Sequence, residues 1–369
     1  MLGVDRRLLQ NFAWSLFALV GVLLAAGIVN LISATATYGG GTIGISDEVR
    51  RQLVSMGIGG CLMLATLLVD YRHFERLALP FYALCVLLLL ATLVIAPVTR
   101  GSQSWLMGGR IQPSEFAKLG LVLVLARYLH RNPPGEIRRL RDLIRPGLLA
   151  ILPVGLIVAQ RDLGVALLTL LIASTFLPFV RIPWKSWALV AVLALAGLAT
   201  LWSFGLEPYQ RSRILDVVDP GRDPLASGYQ VIQSRIAIGS GGLLGAGWTD
   251  GTQTQLRFLP TQHTDFVFSV LAEEWGFLGA GLVLCLYLGL LVWGLFVARN
   301  SKDGFGSLLA VGVVGILFWP AALNIAMVLG LAPVIGVPLP LFSYGGSALV
   351  STLVALGFLL NVSMRRYVF

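Results

Sequence analysis

Apolar residues run through this chain in blocks of about twenty, the length a helix needs to cross a hydrocarbon core. Ten blocks are legible, at 12–34, 50–70, 77–97, 114–130, 145–160, 163–181, 185–205, 265–298, 305–330 and 341–362. Polar stretches rich in Gly and Pro separate them. The pattern predicts an all-α polytopic membrane protein with ten transmembrane helices, forming a single integral-membrane domain over 1–369. The block 265–298 is long for one crossing and predicts strong tilt or a start above the bilayer. Arg6 and Arg7 before the first block imitate a signal peptide. That block is too long for the apolar region of such a peptide and reads as an uncleaved first span.

With ten crossings, the segments 98–113, 206–264 and 331–343 share one face. The opposite face carries the short basic loops, above all RNPPGEIRRLRDLIR at 131–145, which reads as an anchor on anionic lipid. Of the 27 lysines and arginines, 16 fall on that basic face if the N-terminus lies there. Basic residues in short loops mark the cytoplasmic side, so the chain is expected N-in and C-in. The stretch 206–264 then becomes a large extracytoplasmic loop between helices 7 and 8.

Composition agrees. The chain is 57% hydrophobic and 12% charged, about half the charge of a soluble domain, and its mean hydropathy is +0.83. The net charge of +9 follows from orientation and is no sign of nucleic-acid binding. Cys61, Cys85 and Cys285 lie far apart in apolar runs and are expected to be small buried hydrophobes rather than ligands or a disulfide framework.

Against this background a carboxylate at the mouth of a span is expensive, and so a functional candidate. The stretch FLPTQHTDFVFSVLAEEWG (258–276) holds three acids, of which Asp265 is the leading candidate. A helix from Thr264 would put Glu273 about 80° round and about 12 Å deeper, with Glu274 on the opposite face. The stretch therefore does not supply a two-carboxylate glycosidase pair by itself. A lone carboxylate suits a base in a transfer whose leaving group needs no proton, such as pyrophosphate. His263 is either a phosphate contact or a capping group. In QPSEFAKLG, Glu115 and Lys118 lie i, i+3 at the mouth of the fourth span, as an ion pair or as substrate contacts. Pro113 fits the first turn of that helix. Asp162 either caps the sixth span or shares a pocket with Glu115. Arg100, Arg110, Arg235 and Arg257 place positive charge on the normally basic-poor face, which points to an anionic ligand. The glycines of 239–247 follow no strand and lack GK[ST], so they serve close packing rather than nucleotide binding. Asn324 reads as glue between helices. The stretch APVIGVPLPLFSYGGSA (332–348) reads as a broken, re-entrant entrance lining the same cavity as Asp265. Nothing resembles a Ser/His/Asp triad or a zinc site. On these grounds enzyme and transporter both remain open.

The motifs SQSWL with QPSEFAKL, DLG, YQ with SRIAIGSGG, GTQ with FLP, HTDF with LAEEWG, and PLPLFSYGGS occur in order along nearly the whole chain. Together they resemble the SEDS family (shape, elongation, division and sporulation), closest to its elongation branch. The resemblance implies a ten-span peptidoglycan glycosyltransferase of the bacterial inner membrane, with its active site on the extracytoplasmic face. It implies polymerisation of lipid II with release of undecaprenyl pyrophosphate, and work beside a class B penicillin-binding protein and other elongation-complex proteins. It makes Asp265 the catalytic residue and Glu115, Lys118 and Asp162 functionally important. It also implies a divalent cation, Mg or Mn, with ligands unassigned, and no organic cofactor. Two positions depart from the family pattern: Arg161 stands where Pro usually precedes DLG, and Ala348 where SYGGSS is usual. A lipid II flippase and a non-catalytic scaffold for the partner synthase are the competing readings.

Overall fold

The computed structural model describes the chain apart from residues 1–11, 37–44, 99–100, 133–139, 181–182, 220, 222–227 and 367–369. Arg6, Arg7, Arg100 and residues 133–139 of the basic run at 131–145 therefore lie outside the described residues. In chain order the helices are α1 (Trp14–Thr35), α2 (Asp47–Leu68), α3 (Tyr71–Ile95), α4 (Pro113–Arg131), α5 (Ile144–Ala159), α6 (Leu163–Ser174), α7 (Trp184–Thr200), α8 (Pro208–Val218), α9 (Tyr229–Ser240), the single turn α10 (Thr252–Gln255), α11 (Val267–Arg299), α12 (Gly304–Val328) and α13 (Gly346–Arg365). Among the described residues there is no strand, only an isolated bridge between Leu106 and Ile111. Among the described residues six helices, α1, α2, α3, α11, α12 and α13, are long and apolar enough to cross a membrane. The protein is a multi-pass membrane protein.

Burial sorts the helices. α4, α12 and α13 are buried nearly all round, as expected of helices at the centre of a bundle. The helices α1, α2, α3 and α11 each turn one apolar face outward, with Leu68, Val94 and Leu288 more than half exposed. That face suits lipid. The closest pairing is α2 against α13. A Cβ on Gly59 would stand 2.6 Å from the Leu353 side chain, and one on Gly357 2.2 Å from Thr66 Oγ1. Only glycine permits this approach, the usual device where apolar burial cannot drive helices together. At the far end from Asp265, Asn361 on α13 donates to the carbonyls of Thr66 and Val69, and Arg365 donates to that of Leu67 at 2.9 Å. Tyr71 there donates to Asp303 at 2.7 Å.

Several boundaries differ from the pattern. α3 begins at Tyr71, earlier than 77, because Asp70 accepts from the Arg72 N–H and starts the helix. The sixth block ends as a helix at Ser174 and continues as a short 3-10 turn, Leu177–Phe179. α13 starts only at Gly346, because the proline-bearing stretch before it forms a single turn at Leu339–Ser343 and no continuous helix. The expected loop 206–264 contains three helices, α8 to α10. Of the cysteines only Cys85 is buried; Cys61 and Cys285 lie on exposed helix surfaces.

α11 is two helices joined at Gly276, whose φ of 64° and ψ of −164° are non-helical. The glycine-rich turn after α9 packs into this break. Ala246 and Gly247 donate backbone N–H to the carbonyls of Glu273 and Glu274, and Phe277 and Leu278 donate back to Gly242 and Leu243. A Cβ at Gly241 would stand 2.0 Å from the Ala272 carbonyl oxygen. Close packing is thus the role of Gly241 and Gly245, whereas Gly239 and Gly242 face open space.

Candidate active site

Asp265 does not lie in α11. It ends a turn, 261–266, in which its N–H donates to the Thr261 carbonyl at 3.1 Å, and the helix begins only at Val267. The angles expected from a helix starting at Thr264 therefore do not apply. Phe266 is the N-cap and its side chain makes no capping hydrogen bond; His263 lies in the turn just before it. Asp265 is partly exposed, and its Oδ2 lies 3.7 Å from where a Cβ on Gly336 would stand. The missing side chain of Gly336, at φ 71°, keeps the space beside the carboxylate open.

That glycine belongs to the irregular stretch 332–345, which is held from several sides. Asn324 on α12 donates to the carbonyls of Asp265 at 2.8 Å and Val337 at 2.7 Å. Asn324 therefore joins two irregular segments rather than two helices. Gln52 on α2 donates to the Ser343 carbonyl at 3.0 Å and accepts from the Gly345 N–H at 3.2 Å. Tyr287 on α11 donates to the Pro340 carbonyl, and Arg213 on α8 to that of Val334 at 2.9 Å. Tyr344 donates its N–H to the His263 carbonyl at 2.9 Å, and the two rings sit 5.9 Å apart. Glu48, on the first turn of α2, acts electrostatically on His263. The stretch does adjoin Asp265, as its broken sequence suggests. Buried irregular backbone survives at this depth because other side chains satisfy it.

A second polar group lies at the same end. Lys118 and Glu115 form a buried ion pair at 2.7 Å, and the Ser351 hydroxyl donates to the other Glu115 oxygen at 3.1 Å. Asp162 is the N-cap of α6, accepting from the Val165 N–H at 3.3 Å, while Gln112 donates to its other oxygen at 3.3 Å. Burial pushes the Asp162 carboxyl up from its ordinary range, against hydrogen bonds from Val165 and Ser104; Glu115 and Lys118 also act on it. Asp162 is thus both a cap and a neighbour of the ion pair. Ser347 links this group to the irregular stretch: it accepts from the Gln112 N–H at 3.1 Å and donates to the Arg110 carbonyl at 3.1 Å. A Cβ at Gly164 would stand 2.4 Å from the Ile335 carbonyl oxygen, so α6 begins directly against the same stretch.

The other two acids of 258–276 are committed elsewhere. Glu273 accepts from the backbone of Gln253 and Thr254, and Glu274 accepts from Ser33 on α1. Arg110, Arg235 and Arg257 are exposed; Arg235 lies beside Gly330 at the end of α12, and Arg257 follows α10 at φ 57°. Arg161, also at positive φ (61°), reaches Glu207 at 3.9 Å across the surface. Gln52, Gln112, Tyr344 and Ser347 escape a reading by sequence. The only available signal was an amide or hydroxyl inside or beside an apolar run. Among the described residues no three His, Cys, Asp or Glu side chains converge as metal ligands. The donor set does not by itself fit a protein-held divalent ion, and no chemical step is derived through one.

A bundle of apolar helices with a half-open carboxylate, exposed arginines and a buried ion pair gathered at one end defines a polytopic membrane protein with a polar site at the bilayer edge. Its sequence then fixes the family. The model of the FtsW/RodA/SpoVE cell cycle proteins matches residues 13–368, and the chain belongs to this family, the SEDS family of its motifs. It is 40% identical over 322 residues, 86% of each chain, to the peptidoglycan glycosyltransferase MrdB of Escherichia coli K12. It is 36% identical over 349 residues to the stage V sporulation protein E of Bacillus subtilis, covering 93% of this chain and 94% of that one. Among solved structures, a chain from a peptidoglycan synthase complex superposes with a TM-score of 0.81 at 37% identity, covering 97% of this chain and 99% of that one. The rod shape determining protein RodA of Thermus thermophilus gives 0.71 at 33% identity, covering 96% and 98%.

Proposed function

We propose that the protein is a peptidoglycan glycosyltransferase that polymerises lipid II and releases undecaprenyl pyrophosphate during cell-wall elongation. Its relationship to named glycosyltransferases over most of its length supports this. The single structural observation that carries it is the half-open Asp265 carboxylate, with Gly336 leaving space beside it. In the proposed reaction the acceptor sugar 4-hydroxyl attacks the donor anomeric carbon. The new carbon–oxygen bond forms with inversion as the bond to the lipid pyrophosphate breaks. Asp265 takes the hydroxyl proton, and the pyrophosphate leaves as an anion that needs none. Arg110, Arg235 and Arg257, exposed at this end, supply positive charge for it. The buried Glu115 and Lys118 and the half-buried Asp162 act as support beneath the site, and His263 as a substrate contact.

The surrounding assignments are part of the same reading. Ten crossings, comprising α1 to α7 and α11 to α13, put the Asp265 end on the extracytoplasmic side of the bacterial inner membrane, with both termini inside. The whole chain is one membrane domain, with 206–264 as its outer cap. A class B penicillin-binding protein and other elongation-complex proteins are its partners. The relative solved within a peptidoglycan synthase complex supports an assembly of that kind. A divalent cation, Mg or Mn, belongs to the same reading and would be held largely by the substrate's phosphates.

The deciding experiment gives purified protein lipid II in detergent or nanodiscs and reads glycan strands, for wild type and Asp265→Asn. Product from wild type and none above background from the variant is expected. Equal polymerisation by the variant would remove Asp265 from the chemistry. Lipid II translocation in liposomes without product would favour a flippase, and a silent protein that still stimulates its partner would favour a scaffold.

A further inference from the structure

Glu273 plays no part in the proposed reaction, yet it is 1% exposed and fully committed. One carboxylate oxygen accepts from the Gln253 N–H at 2.7 Å. The other accepts from the Thr254 N–H at 3.1 Å and the Thr254 hydroxyl at 2.7 Å. The chain passes directly over it, since a Cβ on Gly251 would stand 2.8 Å from the Glu273 carboxyl carbon. These bonds hold α10, a single turn whose own N-cap, Gly251, offers no side chain. An isolated turn of that length does not stand alone in water.

From α10 the chain runs through Arg257 and the 261–266 turn to Asp265, then enters α11. Arg257 and Phe258 are folded back onto α10 by bonds from their N–H groups to Thr254 and Gln253. The strap 251–266 is therefore fixed twice to one helix: covalently at Val267, and two turns further on through the Glu273 carboxylate. Between those points Gln262 donates to the Ala34 carbonyl of α1 at 2.8 Å. The three groups assigned to substrate in this stretch, Arg257, His263 and Asp265, all ride on the strap.

We propose that Glu273 is a positioning residue, which sets the strap 251–266 and so places Arg257 and Asp265 for reaction. The activity arm of the test rests on the glycosyltransferase reading; the other arm does not. Full-length protein in nanodiscs is treated briefly with trypsin, and cutting after the exposed Arg257 is followed by mass spectrometry. In parallel, turnover and KM for lipid II are measured and normalised to the folded fraction. Glu273→Gln places an amide N–H₂ against N–H donors and is expected to raise cutting at Arg257 by about tenfold, the loss of one or two charge-assisted hydrogen bonds. Turnover at saturating lipid II is expected to fall by about the same factor, with KM little changed. Thr254→Val, which removes one bond from the strap side and leaves Glu273 in place, is expected to move both readouts in the same direction by less. It keeps the test decisive should Glu273→Gln not fold. Unchanged cutting in these variants overturns the proposal. So does faster cutting with normal turnover per folded molecule. A wild type that makes no glycan defeats the functional reading alone, and the cutting arm still decides whether Glu273 holds the strap.

Discussion

Asn324 and Asp265 meet through the backbone: the Asn324 amide donates to the Asp265 carbonyl at 2.8 Å and spends its other hydrogen on Val337 at 2.7 Å. One buried side chain thereby fixes the distance between the carboxylate-bearing turn and the stretch that leaves space for it. Asn324→Leu removes both donors and strands two carbonyls. A loss of about 2–4 kcal/mol is expected from two unmet groups, read as a lower thermal midpoint in detergent. Glycan synthesis is expected to fall further than the folded fraction does.

The Glu115–Lys118 pair makes a sharper thermodynamic prediction. Lys118→Met alone leaves a buried carboxylate whose remaining hydrogen bond is from Ser351, and a cost of about 3–5 kcal/mol is expected. The double variant Glu115→Gln/Lys118→Met is expected to be more stable than Lys118→Met. A double variant less stable than both singles would refute the account of the pair as mutual neutralisation.

Asp162 predicts a pH effect. Burial raises its folded carboxyl above its unfolded value, so ionisation weakens the folded state at pH 7. That penalty shrinks as pH falls through the raised folded value and vanishes below the unfolded value, about pH 4. Asp162→Asn keeps a good N-cap and removes the titration. The variant's thermal midpoint is expected to exceed wild type most at neutral pH, with the gap closing towards pH 4. A gap that widened on acidification would show the opposite sign of shift.

Two glycines two residues apart are expected to behave oppositely. Gly241→Ala drives a methyl into the Ala272 carbonyl, whereas a methyl on Gly239 would meet no atom within 4 Å. Gly241→Ala is expected to destabilise by about 1–3 kcal/mol. Gly239→Ala, inside α9, is expected to be neutral or to stabilise by up to about 1 kcal/mol. Thermal midpoints of the two variants, measured side by side, check the contrast.

The apolar helices were legible because a bilayer imposes a length that composition alone reveals. Asp162 as a cap, Pro113 at a first turn and the Glu115–Lys118 pair were legible because they are local. What escaped depends on distance in sequence. Gln52 reaches Ser343 across the molecule, and Asn324 chooses irregular backbone over a neighbouring helix. The break at Gly276 exists because the turn 241–247 donates and accepts there, which no window around Gly276 reveals. Helices α8 and α10 were hidden because short polar helices lack a long apolar period. The geometry assigned to Glu273 and Glu274 failed for one reason: the helix begins at Val267 rather than Thr264.

The stretch 332–345 has a consequence for how this protein can vary. Gln52, Arg213, Tyr287 and Asn324 all grip its backbone and ignore its side chains. Its route is therefore stored largely elsewhere in the chain, on four other helices, with Ser343 accepting one bond of its own from the Leu339 N–H at 2.8 Å. Apart from Ser343 and the glycines, side chains along the stretch can be exchanged for others of like size, and the surroundings of the carboxylate retuned, without erasing the path. A change at any of those four distant positions rewrites the path while leaving the local sequence untouched.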